Sequence, residues 1–138
     1  YIPDQEKRDL WQKINYNFVA NSRYFNAVDV KYHDALGLRL FHSVVELTGG
    51  FLALRDIPWR GEKIAFAYLH ENAPNFLRAY KHFCEAIDLP SRFAAYSEML
   101  HLVFPEGYEV WSEAIVVVVG KEGTKKIDDV GFWGRIIS

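Results

Sequence analysis

The sequence of 138 residues is 50% hydrophobic and 25% charged, with a formal net charge of −2 at pH 7. This size fits one globular domain whose core needs no metal or disulfide to hold it together. The near balance of acidic and basic residues excludes a global positive field, so any phosphate binding has to be local. The single Cys84 excludes an internal disulfide framework and indicates a reducing compartment, with the cytoplasm as the expected location.

No apolar run approaches the roughly 18 residues that span a bilayer, so we expect no membrane partner. Tyr1-Ile2-Pro3-Asp4 contains neither an initiator Met nor a signal sequence. We therefore expect that the chain is cut from a longer one, which leaves open whether an N-terminal partner domain precedes it.

Apolar residues recur at helical spacing along most of the chain. They predict a long amphipathic helix over Asp4–Asn26, with Asp4 as its N-cap, and a second helix over Val30–Leu54 that is central to the core. The Gly49-Gly50 pair inside the second helix indicates either a tight helix crossing or a local break. The outer face of the first helix is predicted to hold polar residues: Lys7, Arg8, Lys13, Asn17 and Asn21.

Shorter helices follow these two. We predict one over Glu62–Leu69, a fourth that starts at Asn72 with Pro74 two residues later, and a fifth that restarts at Pro90. A sixth segment opens at Pro105 and runs through Ile115–Val119. We predict a helix there, although its β-branched residues keep a strand open as the alternative.

The predicted fold class is all-α, an antiparallel helical bundle with two long helices and three or four shorter ones. We expect the bundle domain to cover residues 1–119. Residues 120–138 are predicted to form a C-terminal loop and an aromatic tail around Phe132-Trp133.

Catalytic and metal-binding motifs are absent from the sequence, which contains no phosphate-binding glycine loop and no His-Glu-x-x-His pattern. Asp56 follows Gly49-Gly50 without the second carboxylate that nucleotidyl transfer needs to hold metal ions. Cys84 lies at an apolar position of its helix and is predicted to be a small buried residue. We therefore predict no catalytic residue, no metal and no cofactor.

Two polar clusters are candidates for a binding site. Arg39, His42 and Glu46 are three and four residues apart and so share one face of the second helix. They form either a paired Arg39–Glu46 network at the edge of the core or a ligand-facing cluster. The second cluster lies in the turn before the next helix and contains Arg55, Trp59, Arg60 and Lys63. It is either an anion site, since helix N-termini offer free N–H groups, or a solvated loop with Trp59 as its packing anchor.

The order of the helices resembles HEPN-type helical domains, especially those that accompany minimal nucleotidyltransferases. The resemblance covers about Asp4–Val103 and is carried by Val45–Leu54, by the turn Ile57-Pro58-Trp59, and by Glu62-Lys63 at the start of a short helix. It implies a helical module that binds a nucleotide or another phosphate-bearing substrate beside a nucleotidyltransferase domain or chain. It also implies a homodimer, because such modules commonly self-associate.

In HEPN ribonucleases, an Arg and a His separated by four to six residues form the catalytic pair. The three candidate pairs here have other spacings: Arg39 and His42 with two residues between, Arg78 and His82 with three, Arg92 and His101 with eight. The resemblance therefore implies a non-catalytic member of the family.

In that interpretation the ligand lies between the second helix and the Arg55–Lys63 turn. Arg55, Arg60 and Lys63 contact phosphate, Trp59 stacks on a base, and Glu46 orients a hydroxyl group. Two alternatives remain open. One is a structural or protein-interaction bundle, and the other is a HEPN-type ribonuclease toxin that brings Arg and His together across a dimer.

Overall fold

The computed structural model describes residues 1–111, 116–120 and 123–127. Five helices occupy the first of these ranges and form an antiparallel bundle, which confirms the predicted all-α class. They are α1 (Asp4–Asn26), α2 (Val30–Ala53), α3 (Glu62–Asn72), α4 (Pro74–Glu85) and α5 (Leu89–Val103). Within the described residues, no helix is both long enough and apolar enough to cross a membrane.

The core is centred on α2, as the sequence predicts. This helix packs against α1 on one side and α5 on another, α4 packs against α5, and α3 packs against α4. Full burial of a large apolar side chain contributes about 1.5–3 kcal/mol to stability. The largest fully buried side chains among the described residues come from four helices: Ile14, Leu36, Leu40, Leu47, Leu52, Leu69, Tyr96, Met99, Leu100 and Val103.

Helix starts follow local chemistry, with one correction. The N-cap of α1 is Pro3 rather than the predicted Asp4, which is the first helical residue and makes no capping hydrogen bond. Its carboxylate still stabilises the helix, because a negative charge interacts favourably with the positive end of the helix dipole. α2 and α5 begin after true caps, because Asp29 accepts a hydrogen bond from the Lys31 N–H at 3.0 Å and Asp88 accepts one from the Ser91 N–H at 2.8 Å.

α2 ends in a Schellman turn, one residue earlier than predicted. The N–H of Ile57 donates to the carbonyl of Leu52 at 3.0 Å, and Asp56 has a φ of 61°, in the left-handed region where glycine is usual. The Asp56 carboxylate accepts hydrogen bonds from the Ile2 N–H at 2.9 Å and from Lys7 Nζ at 2.8 Å. The bond from Lys7 lowers the pKa of Asp56, and together these bonds tie the start of α1 to the turn.

α3 is longer than predicted, because it continues past Leu69 to Asn72. Asn72, predicted to start the next helix, is the last residue of α3, and its Nδ2 donates to the carbonyl of Tyr68 at 3.1 Å. Pro74 is the first residue of α4. Proline suits that position because the first turn of a helix has no acceptor for its missing N–H.

The predicted helix over Pro105–Val119 is wrong. Residues 104–111 are not helical: the N–H of Tyr108 donates to the carbonyl of Pro105 at 3.1 Å, and Gly107 has a φ of 97°. A glycine in this conformation ends a helical path because helices require a negative φ.

The strand that the sequence kept as an alternative is present instead. β1 (Val116–Gly120) pairs antiparallel with β2 (Gly123–Ile127), with Val116 opposite Ile127. Consecutive β-branched valines favour this extended backbone. The predicted tail at Phe132-Trp133 lies outside the described residues, and the division of the chain at residue 119 stays a prediction.

α1 and α2 run antiparallel and approach each other closely at Gly50. A Cβ atom on Gly50 would lie 2.9 Å from Cδ1 of Ile14, whereas a Cβ atom on Gly49 would meet nothing within 4 Å. α2 continues through both glycines. Gly49-Gly50 is therefore a tight crossing and not a break.

We expect the Gly50→Val substitution to lower the free energy of unfolding by about 1–3 kcal/mol, because the new side chain overpacks the contact with Ile14. Gly49→Val is the matched control, and it should change stability by no more than about 0.5 kcal/mol because its side chain enters open space. Urea denaturation of both variants tests the prediction. Equal stability of the two would contradict the close approach at Gly50.

Candidate functional site

A groove runs along the surface between α1 and α2. Its volume is about 690 Å³, within the usual range for small-molecule sites. α1 forms one wall and α2 the other. The polar residues that line it are Lys13, Asn17, Arg39, His42, Ser43 and Glu46.

Glu46 lies in the middle of this groove, and its partners are on the opposite wall. The carboxylate accepts a hydrogen bond from Asn17 Nδ2 at 3.0 Å and forms an ion pair with Lys13 at 3.3 Å. Within the described residues, no ion pair joins Glu46 to Arg39. Of the two alternatives from the sequence, the paired Arg39–Glu46 network is not formed; each residue instead contacts α1.

Arg39 is held by two contacts with α1. Its Nε donates to Oδ1 of Asn21 at 2.8 Å, and its guanidinium carbon lies 4.8 Å from the centre of the Tyr24 ring. A cation above an aromatic face is attracted by the ring. Arg39 is half-buried, and the hydrogen bond to Asn21 uses its Nε.

Beneath Arg39 lies a small buried network of polar side chains. Asn21 Nδ2 donates to Ser43 Oγ at 2.9 Å, and the buried Tyr96 hydroxyl lies next to both side chains. Burial raises the pKa of the Tyr96 hydroxyl, which therefore stays neutral. The network connects α1, α2 and α5 under the cationic end of the groove.

The prediction that Asn21 lies on the outer face of α1 is wrong, since the residue is fully buried. Asn21 follows Phe18 by three residues and precedes Phe25 by four, and that spacing places it on the core side of a helix. Asparagine is mostly exposed in proteins, so the residue type alone favours the outer face, whereas the spacing from Phe18 and Phe25 indicates the core.

Asn15 is a second fully buried asparagine that the sequence interpretation missed. Its Nδ2 donates to the carbonyl of Glu109 at 3.1 Å, and its Oδ1 accepts from the Trp111 N–H at 2.9 Å. Trp11 Nε1 donates to the same Glu109 carbonyl at 2.8 Å. These bonds hold the segment after α5 against α1 and leave Asn15 in a structural role.

Arg55, predicted to contact a ligand, is committed to the fold. Its Nη1 donates to the carbonyls of Phe51 at 2.9 Å and Val103 at 2.8 Å. The guanidinium carbon also lies 3.5 Å from the centre of the Phe51 ring. Burial lowers the pKa of Arg55. Arg55 thus joins the last turns of α2 and α5.

The other residues of the predicted turn site are exposed. Trp59, Arg60 and Lys63 lie on the surface around the start of α3, and none of them lines the groove. Of the predicted site residues, the structure brings Arg39, His42 and Glu46 together along one groove. The four residues of the turn lie outside its lining.

Cys84 is exposed, so the prediction of a buried thiol is wrong. The buried face of α4 is formed by Phe76, Leu77, Ala79 and Phe83. Cys84 lies seven residues after Leu77 and so shares this face by spacing, but it is the next-to-last residue of the helix, which ends at Glu85. Among the described residues, no group of three or more His, Cys, Asp or Glu side chains could hold a metal ion.

Comparison of the chain with protein-family models, curated proteins and solved structures finds no match in any of the three. The resemblance to HEPN-type domains therefore stays a prediction from the helix order and the turn.

We expect Asn21→Leu to lower the free energy of unfolding by about 1–3 kcal/mol, because it leaves Ser43, Tyr96 and Arg39 without a buried partner. Asn26→Leu, at the exposed end of the same helix, is the matched control and should change stability by about 0.5 kcal/mol or less. Urea denaturation compares the two. A tolerated Asn21→Leu variant would show that the network contributes little.

Proposed function

We propose that the chain is a non-catalytic helical module that binds a nucleotide or another phosphate-bearing ligand in the groove between α1 and α2. The observation that carries the proposal is that Lys13, Arg39 and His42 line one open groove beside a single carboxylate, Glu46. Because the whole chain has a net charge of −2, this is a local concentration of donors to anions. Charged donors form the stronger hydrogen bonds to phosphate oxygens.

Arg39 is the residue best prepared for this role. Its Nε is already bonded to Asn21 and its guanidinium rests on Tyr24, so little side-chain freedom is lost when a ligand binds. A planar guanidinium can then meet two phosphate oxygens at once through its Nη groups. Lys13 compensates the charge of Glu46 and reduces its repulsion of an anion.

A nucleotidyltransferase domain or chain is the partner that we propose for this module, on the strength of the HEPN-like helix order. Such a partner would supply the paired carboxylates and metal ions that nucleotidyl transfer requires. A ribonuclease is not proposed. Arg78 bonds to Asn75 and His82 to Glu98, and no contact within the described residues joins Arg78 to His82.

We expect Arg39→Ala to weaken binding of AMP and ATP about tenfold or more, because a charge-assisted hydrogen bond is lost. Lys63→Ala should change the affinity by less than about twofold, because a distant exposed charge is largely screened. Isothermal titration calorimetry of the wild type and both variants measures this. Equal losses in both variants would move the site to the turn, and the absence of heat with the wild type would contradict the proposal.

A second function is favoured by an apolar stripe on the exposed side of α2. Leu38, Phe41 and Val45 are 65%, 50% and 74% exposed, and their spacing places them on one face. Contiguous patches of exposed apolar residues often mark interaction surfaces, whereas single exposed apolar residues are common on any protein. We propose a homodimer in which the stripes of two copies cover each other, so that the interface borders the groove at Val45, which also lines it.

We expect the wild type to sediment as a dimer and Leu38→Glu to sediment as a monomer, because a buried unpaired charge opposes association. Ile87→Glu is the control: Ile87 is also a highly exposed apolar residue, but it lies between α4 and α5. It should leave the dimer intact. Analytical ultracentrifugation tests all three proteins, and a monomeric wild type would contradict the dimer.

A further inference from the structure

The groove between α1 and α2 has two chemically different ends. Arg39 lies in the first half of α2 and His42 at its middle, and the Arg39 guanidinium makes this end of the groove cationic. Leu10, Gly49 and Ala53 lie at the other end, where the last turns of α2 meet the start of α1. A ligand that matches the whole groove is therefore anionic at one end and apolar at the other.

The floor of the apolar end is bare backbone. Gly49 has no atom within 4 Å of the place where a Cβ would lie, and Gly50 next to it faces Ile14 on the inner side. Exposed backbone without a side chain allows a flat group to lie directly against the helix. Leu10 on α1 borders the same space.

The middle of the groove suits hydroxyl groups. Glu46 offers carboxylate oxygens, and the Asn17 amide and the Lys13 ammonium group lie within 3.0 Å and 3.3 Å of them. A hydroxyl group can donate to a carboxylate and accept from a neighbouring amide or ammonium group. Vicinal hydroxyls of a sugar would use both kinds of partner.

The length of the groove fits a ligand of three parts. Arg39 and Gly49 are separated by ten residues of continuous helix, a rise of about 15 Å. The order along the groove is cation, carboxylate with amide, and bare backbone, which corresponds to phosphate, ribose and base laid end to end. The volume of about 690 Å³ exceeds that of one nucleotide, so the ligand does not have to be compressed.

We infer that the groove binds a nucleoside monophosphate in one direction, with its phosphate at Arg39 and His42, its ribose at Glu46 and its base over Gly49. The inference rests on the proposed function and adds the class of the ligand and its orientation. A phosphate-bearing sugar alone would fill the first two parts and leave the glycine end empty.

The experiment compares AMP with ribose 5-phosphate in calorimetric titrations of the wild type and Gly49→Met. We expect Gly49→Met to weaken AMP binding about tenfold, because the methionine side chain occupies the space of the base. Its affinity for ribose 5-phosphate should change by less than about twofold, since that ligand does not reach Gly49.

Gly37→Met is the matched control. Gly37 lies on α2 as well, a Cβ on it would also meet nothing within 4 Å, and it does not line the groove. It should leave both affinities unchanged. The melting temperature of each variant checks that the fold is retained.

The outcomes separate the inference from the proposed function. If the wild type binds both ligands and Gly49→Met weakens neither, or weakens both equally, the orientation is overturned while phosphate binding stands. If the wild type binds neither ligand, the proposed function fails and the inference fails with it. Selective loss of AMP in Gly49→Met, with Gly37→Met unchanged, supports the inference.

Discussion

The antiparallel contact between α1 and α2 determines both the packing of the bundle and the shape of its groove. At one end, Gly50 lets the two helices approach until Ile14 lies against the α2 backbone. Towards the other end, hydrogen bonds join Asn17 to Glu46 and Asn21 to Ser43. Apolar contact alone would tolerate sliding of one helix along the other, whereas paired buried polar groups are satisfied in one register.

Because this register is set by buried side chains, the core also determines the shape of the groove. Tyr96 reaches from α5 to the Asn21 and Ser43 side chains, and Asn21 in turn holds Arg39. The position of a surface cation is thus set by groups at the centre of the bundle. A buried polar network of this kind stabilises the fold only when all of its members are satisfied. Its replacement by apolar side chains would retain a bundle and lose the fixed guanidinium.

The sequence predicts the helices better than it predicts the strand after them or the long-range contacts of single side chains. The bounds of α1 and the start of α2 are confirmed, because long helical periodicity is a local signal. The sequence predicts a helix through Val119, with a strand as the alternative, because a short apolar run lacks a period that separates helix from strand, and the structure has a strand over Val116–Gly120. The sequence predicts a ligand contact for Arg55, whereas the structure gives it an acceptor on Val103, 48 residues away, which no local pattern indicates.

The difference between local spacing and long-range contacts also explains which wall of the groove could be predicted. Arg39, His42 and Glu46 share one face of one helix, so their spacing alone predicts a cluster. The opposite wall consists of Lys13 and Asn17, which periodicity assigns to the solvated face of α1. The polar residues of α1 and of α2 line one groove because the two helices pack side by side. Gly50 and the buried Asn21 determine how the helices pack. Local pattern therefore identifies the residues of each wall, and long-range packing decides that the walls face a common ligand space.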